Sequence, residues 1–111
     1  MKIAVIDSNI FWTRRLQKSI EALGHECVIQ LKPSGLIEGD VVILNLSEEN
    51  FDVFEIIKIF RDKGVPVIAH VGHKEKELIK RGYASGADIV SSNGEITFHI
   101  EKLLEQVHVA G

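Results

Sequence analysis

Three nearly continuous apolar runs constrain this chain more than any other feature: Ile3-Ala-Val-Ile6, Val41-Val-Ile-Leu44 and Val65-Pro-Val-Ile-Ala69. A strand with one wet face alternates apolar and polar residues, whereas an unbroken run belongs to a strand covered on both faces, as in a parallel sheet. Cys27-Val-Ile29 and Ile89-Val90 read as shorter strands nearer the edges. Pro66 opens its run, where a missing N–H is tolerated.

Helix-period segments fill the intervals, giving the alternation of βα units. Trp12, Leu16, Ile20 and Leu23 recur at helical spacing, and Gly24 supplies the stop. Phe54, Ile57 and Phe60 form a second stripe, with Asn50 expected as its cap, Asp52 in its first turn and Lys63-Gly64 at its end. A third helix is expected over about Glu75 to Tyr83, with Glu77 and Arg81 spaced for an i,i+4 pair. Ile96, Ile100, Leu103, Leu104 and Val107 give the cleanest stripe, with Ser92 and Glu95 spaced as a capping box. One slot is short. Leu31 to Gly39 holds Pro33, Gly35 and Gly39, and a parallel crossover needs about a dozen residues or more. At most one irregular turn fits there, so the sheet face either exposes apolar area that invites a partner or a dimer, or is covered by Leu31, Leu36 and Ile37 folding back as a plug.

With 111 residues, 45% hydrophobic and 26% charged, the chain suits one compact domain spanning 1–111. Its net charge of -3 argues against nucleic acid as a main partner. No apolar run approaches the ~20 residues of a membrane span, and the short N-terminal run is too brief for a signal peptide. The single cysteine, Cys27, fits a reducing compartment, so a cytoplasmic location is expected.

The order of elements, with Asp7 after the first strand, Asn45 after the third and Gly86-Ala-Asp88 before the fifth, resembles a response-regulator receiver domain. Spacing runs without gaps from Asp7 to Gly24 and from Asp40 to Asp88. The resemblance implies an α/β, flavodoxin-like (CheY-like), doubly wound five-stranded parallel sheet of order 2-1-3-4-5, with the second helix shortened or absent. It also implies roles by position. The acid pair that binds Mg²⁺ falls on Asp7-Ser8, the phosphoacceptor aspartate on Asn45, the phosphate-contacting hydroxyl on Val71, the lysine on Asn93 and the aromatic switch residue on Val90. Only Asp7 keeps the family chemistry. An amide is a poor nucleophile, and one carboxylate is a poor Mg²⁺ site.

The expectation is therefore a stand-alone, non-phosphorylatable receiver-like module, without catalytic residues, metal or cofactor, acting through a signalling protein partner. The partner surface implied by the resemblance comprises Lys80, Arg81, Tyr83, Phe98, Glu101, Lys102 and Glu105, and it leaves a homodimer open. The competing expectation is a small-molecule site in the crevice of Asp7, Asn45, Val71 and Asn93. Phe11 and Trp12 are expected to pack in the core, the sharper alternative being that Trp12 leans over the empty pocket. His70-Val-Gly-His73 offers two imidazoles but no further ligand at defined spacing, so no metal site is expected.

Overall fold

The computed structural model describes residues 1–110, with side chains through Val107. Its elements run β1 (Lys2–Ile6), α1 (Ile10–Ala22), β2 (Glu26–Gln30), β3 (Val41–Asn45), α2 (Val53–Asp62), β4 (Val67–Val71), α3 (Lys76–Ser85), β5 (Ile89–Ser92), α4 (Asn93–Phe98) and α5 (Ile100–Ala110). All strand pairs are parallel and the sheet order is β2-β1-β3-β4-β5. This is the expected flavodoxin-like arrangement.

The unbroken apolar strands divide their side chains between two cores, as strict alternation requires. Ala4, Ile6, Val42, Leu44, Val67, Ala69 and Val71 pack under α2 and α3. Ile3, Val5, Val41, Ile43 and Ile68 pack under α1, α4 and α5. Both faces are closed. No described helix is long and apolar enough to cross a membrane.

Several expected details are corrected. Asp52, not Asn50, caps α2, accepting from the Phe54 and Glu55 N–H groups. β4 begins at Val67 rather than Val65, because the Val65 N–H is bonded to Phe60 at the end of α2. Glu77 reaches Lys80 at 3.9 Å instead of Arg81, whose guanidinium lies 4.0 Å from the Phe54 ring centroid. The C-terminal stripe is carried by two helices broken at His99, although the Ser92–Glu95 capping box forms as expected.

The shortened crossover contains no regular element between Gln30 and Val41. Leu36 and Ile37 do fold back onto the core, whereas Leu31 remains 38% exposed. Gln30 holds this segment in place: its Nε2 donates to the Gly35 carbonyl at 2.8 Å and its Oε1 accepts from Ile37 N–H at 3.2 Å. Side-chain bonds thus replace the backbone ladder that a crossover helix would provide.

Candidate functional site

In a parallel α/β sheet, the C-terminal strand ends open onto the ligand crevice. The register here aligns one polar row across that edge. Asn45 pairs with His70, and His70 pairs with Ser91. Asp7 follows Ile6, which pairs with Leu44, so it extends the same row. Alternation turns Asn45 and His70 toward the face covered by α1 and α4, the side of Ile43 and Ile68.

Asp7 is buried, with Oδ1 accepting from Asn9 N–H at 2.8 Å and Oδ2 without a partner. Burial raises its pKa above the usual carboxylate range; the Asn9 bond opposes this, Glu48 reinforces it, and the nearby Asn45 amide lowers it somewhat. Asn45 itself is half-buried, its Oδ1 accepting from Ser47 N–H at 2.9 Å. The amide oxygen is committed to closing the turn after β3.

Ser8 turns to a residue the sequence did not point to. Its N–H and hydroxyl donate to Glu48 Oε1 and Oε2, both at 2.8 Å. Asn50 donates from its backbone to Glu48 Oε2 and from its amide to Ser8 Oγ. Burial works against the Glu48 charge, but bonds from Ser8 and Asn50 prevail and hold its pKa below the usual range. The Ser8 hydroxyl is therefore part of a loop clamp between the β1 and β3 ends. No sequence spacing could have revealed Glu48; its partner lies forty residues away.

His70, weighed in the sequence only as half of an imidazole pair with His73, turns into the crevice while His73 is exposed. His70 is 2% exposed, with Nδ1 bonded to Asn93 Oδ1 at 2.8 Å and its ring 4.5 Å from that of Trp12 at 31°. A neutral imidazole donating Nδ1–H to that carbonyl oxygen leaves Nε2 an acceptor, and Nε2 has no partner. Burial pulls its pKa down to about 4, with the Asn93 bond opposing. Asn93 thus presents an amide that orients an imidazole. Parity along β4 is the signal that would have found His70: it lies two residues beyond Ile68, on the crevice side.

Of the expected crevice residues, Asp7, Ser8, Asn45 and Asn93 lie along the strand ends; Val71 also ends β4, but its side chain takes the opposite face of the sheet. It is fully buried among the residues under α2 and α3. Val90 is half-buried against that same core, and its N–H donates to the Tyr83 hydroxyl at 3.2 Å. Lys80, Arg81 and Tyr83 are exposed along α3, and Glu101, Lys102 and Glu105 along α5. Phe98 departs from that group by lining a groove with α1. Trp12 packs half-buried against the core, as expected, with its ring against that of His70. Phe11 is not a core residue: it is 82% exposed, because the buried face of α1 is Thr13, Leu16 and Ile20. Cys27 is a core thiol whose pKa burial raises to about 11, with Glu21 adding to the rise. No cluster of three potential metal ligands occurs among the described residues.

The sheet order and polar strand-end crevice define a receiver-type flavodoxin-like fold. No protein-family model and no curated protein matches the sequence. Solved structures do. A signal receiver domain of a DNA-binding response regulator from Colwellia psychrerythraea is 22% identical, with TM-score 0.82 over 96% of this chain and 97% of that one. A two-component response regulator from Clostridium difficile is 18% identical, with TM-score 0.80 over 98% and 93%. A Burkholderia pseudomallei response regulator, described with a phosphorylated aspartic acid, calcium ion and citrate, is 17% identical, with TM-score 0.75 over 98% and 71%. The chain has the fold of response-regulator receiver domains.

That resemblance implies a Mg²⁺ ion, and the residues do not fit one. A hard divalent ion needs several oxygens of high negative charge. Asp7 Oδ2 is the one free anionic oxygen of the implied set, Ser8 is bonded to Glu48, and the Asn45 oxygen is held by Ser47.

Proposed function

We propose that this chain is a receiver-like module that does not take a phosphoryl group on the third strand and acts as a protein-interaction or regulatory element in signal transduction. The observation that carries this reading is Asn45 at the C-terminal end of β3, its amide oxygen engaged by Ser47 N–H. Phosphoryl transfer needs a nucleophile and cationic compensation for the developing charge. Here the nucleophile position holds an amide, and the cation position holds Asn93 bonded to His70. The Burkholderia neighbour carries a phosphorylated aspartic acid; this chain offers no carboxylate at the end of β3.

Incubation with acetyl phosphate and Mg²⁺, followed by intact mass measurement, tests this reading. No added phosphoryl mass is expected. Asn45→Asp alone is expected to remain poorly phosphorylated, because Ser8, Val71 and Asn93 still lack the supporting chemistry. A stable Mg²⁺-dependent phosphoadduct on the unaltered chain would overturn the proposal.

A second reading has one specific observation in its favour. Asp7 Oδ2 and His70 Nε2 are buried acceptors without partners, and an unpaired buried polar group costs ~1–3 kcal/mol. A small hydrogen-bond donor binding in the crevice would satisfy them. A ligand raises stability by mass action, so a thermal-shift screen of small polar compounds distinguishes this class. Stabilisation lost in Asp7→Asn supports it, and a flat screen removes it.

A further inference from the structure

The crossover from β2 to β3 carries no helix, and a cavity of about 400 Å³ remains between it and the end of α2. This cavity opens at the N-terminal edge of the sheet, opposite the strand-end crevice: Lys2 begins β1, Asp40 precedes β3 and Val65 lies before β4. Its size falls within the ~300–1,000 Å³ of small-molecule sites. Ile37, Phe60 and Val65 give it an apolar wall, Phe60 buried and the other two half-buried. Four charged residues line the same space, Lys2 and Lys63 against Glu38 and Asp40. None of them is in a salt bridge among the described residues.

Two of these charges are fixed by contacts of their own. Asp40 is locked to the start of β1: its N–H donates to the Lys2 carbonyl and its Oδ2 accepts from the Lys2 N–H, both at 2.7 Å. Lys63 leaves α2 with its ammonium 5.7 Å from the Phe60 ring centroid, within cation–π range. A carboxylate and an ammonium therefore line one apolar wall without neutralising each other. We infer that this cavity binds a small zwitterion with an apolar body, of the α-amino-acid class. The ligand's ammonium meets Asp40 and Glu38, its carboxylate meets Lys63 and Lys2, and its side chain lies against Phe60, Val65 and Ile37. This site goes beyond the interaction-module reading and does not depend on it.

The balance of charge decides against other ligands. A phosphate or nucleotide needs converging donors and positive charge, which Glu38 and Asp40 oppose. A metal ion needs acids free of competing cations, and here Lys2 and Lys63 compete; no cluster of three potential metal ligands occurs among the described residues. A purely apolar ligand would desolvate the charged rim without pairing it. One molecule carrying both charges on an apolar frame satisfies the whole lining.

Free leucine is the probe, and three compounds each remove one of its features. Isocaproate lacks the ammonium, isoamylamine lacks the carboxylate, and glycine lacks the apolar side chain. Each is titrated at millimolar concentration into the isotope-labelled chain, with backbone amide shifts as the readout. Expected for leucine are saturable shifts confined to residues 2, 37–40 and 60–65, with each analogue binding about tenfold more weakly or worse. Asp40→Asn keeps an acceptor for the Lys2 N–H and removes the charge, and Lys63→Gln removes the ammonium at an exposed position. Both are expected to weaken leucine binding about tenfold, with the melting temperature of the free chain unchanged. The absence of a saturable shift with leucine overturns the proposal. Equal binding of any analogue does so too, since it leaves a simple anion, cation or apolar site, as does leucine binding that neither variant weakens. Leucine shifts at Asp7, Asn45 and His70 would place the ligand in the crevice, overturning this site while supporting the small-molecule reading above.

Discussion

His70 carries the sharpest pH dependence in the molecule. Its folded pKa of about 4 lies below the ordinary value of 6.5, because burial beneath Trp12 disfavours the imidazolium. Between those values the unfolded chain binds the extra proton, so stability rises with pH there. The contribution is fully present above pH 6.5 and lost as pH falls toward 4, at most ~3 kcal/mol by linkage. Asp7 works with the opposite sign: its raised pKa makes the buried charge unfavourable at neutral pH, an effect relieved on acidification. Asp7→Asn keeps the acceptor for Asn9 N–H and removes the charge, so a higher melting temperature is expected at pH 7. In that variant the loss between pH 6.5 and 4.5 reports His70, because the Glu48 contribution is lost only as pH falls below its ordinary value of 4.5; urea titration at several pH values follows it. A flat profile there would show that His70 is not held neutral. Asp7, Ser8, Asn45 and Asn93 were legible as strand-end residues because the strand-to-helix spacing survives. Glu48 and His70 were not, since one acts through a tertiary clamp and the other lay beyond the expected strand end.

At the scale of elements, the crossover from β2 to β3 is where local sequence and tertiary packing meet most tightly. With no helix to hold it off the sheet, the segment enters β3 pressed against β1. A Cβ at Gly39 would stand 3.0 Å from Ala4 Cβ and 3.3 Å from the Lys2 carbonyl oxygen. Part of that contact is backbone of a central strand and gives little. Gly39→Ala is therefore expected to destabilise by ~1–3 kcal/mol, as overpacking does, measured as a lower urea midpoint with unchanged slope. An unchanged midpoint would mean that the segment shifts freely. The missing helix was legible from residue count alone, since Pro33, Gly35 and Gly39 leave no room for one. The break at His99 was not. Backbone bonds from His99 N–H to Glu95 and from Leu103 N–H to His99 span it, so Ile96, Ile100 and Leu103 keep one buried face and the periodicity shows no interruption. The N-cap of α2 was misplaced for a simpler reason: Asn50 is drawn away to Glu48 and Ser8, which leaves the role to Asp52.

For the molecule as a whole, the question is whether losing a helix leaves a face that must find a partner. The described large apolar side chains that remain more than a third exposed are spread over separate elements: Ile10 and Phe11 on α1, Leu23 after it, Leu31 after β2, Ile59 on α2, Tyr83 on α3 and Phe98 on α4. Leu36 and Ile37 cover the core where the shortened segment crosses it. Isolated exposed apolar residues are normal on a monomer; a contiguous patch is what drives association. Self-association through the α1 edge is opposed by charge, because a two-fold contact would bring Arg14, Arg15 and Lys18 near their own copies. The 111-residue chain is therefore expected to sediment as a 12.4 kDa monomer at tens of micromolar. The decisive comparison is salt. If Arg14, Arg15 and Lys18 are what prevents Phe11 and Phe98 from associating, raising ionic strength screens them and promotes a dimer. That dimer should vanish in Phe98→Ser and be unaffected by Leu31→Ser. A dimer at low salt that disappears only in Leu31→Ser would instead place the contact over the shortened crossover, and would show that the plug leaves the sheet insufficiently covered.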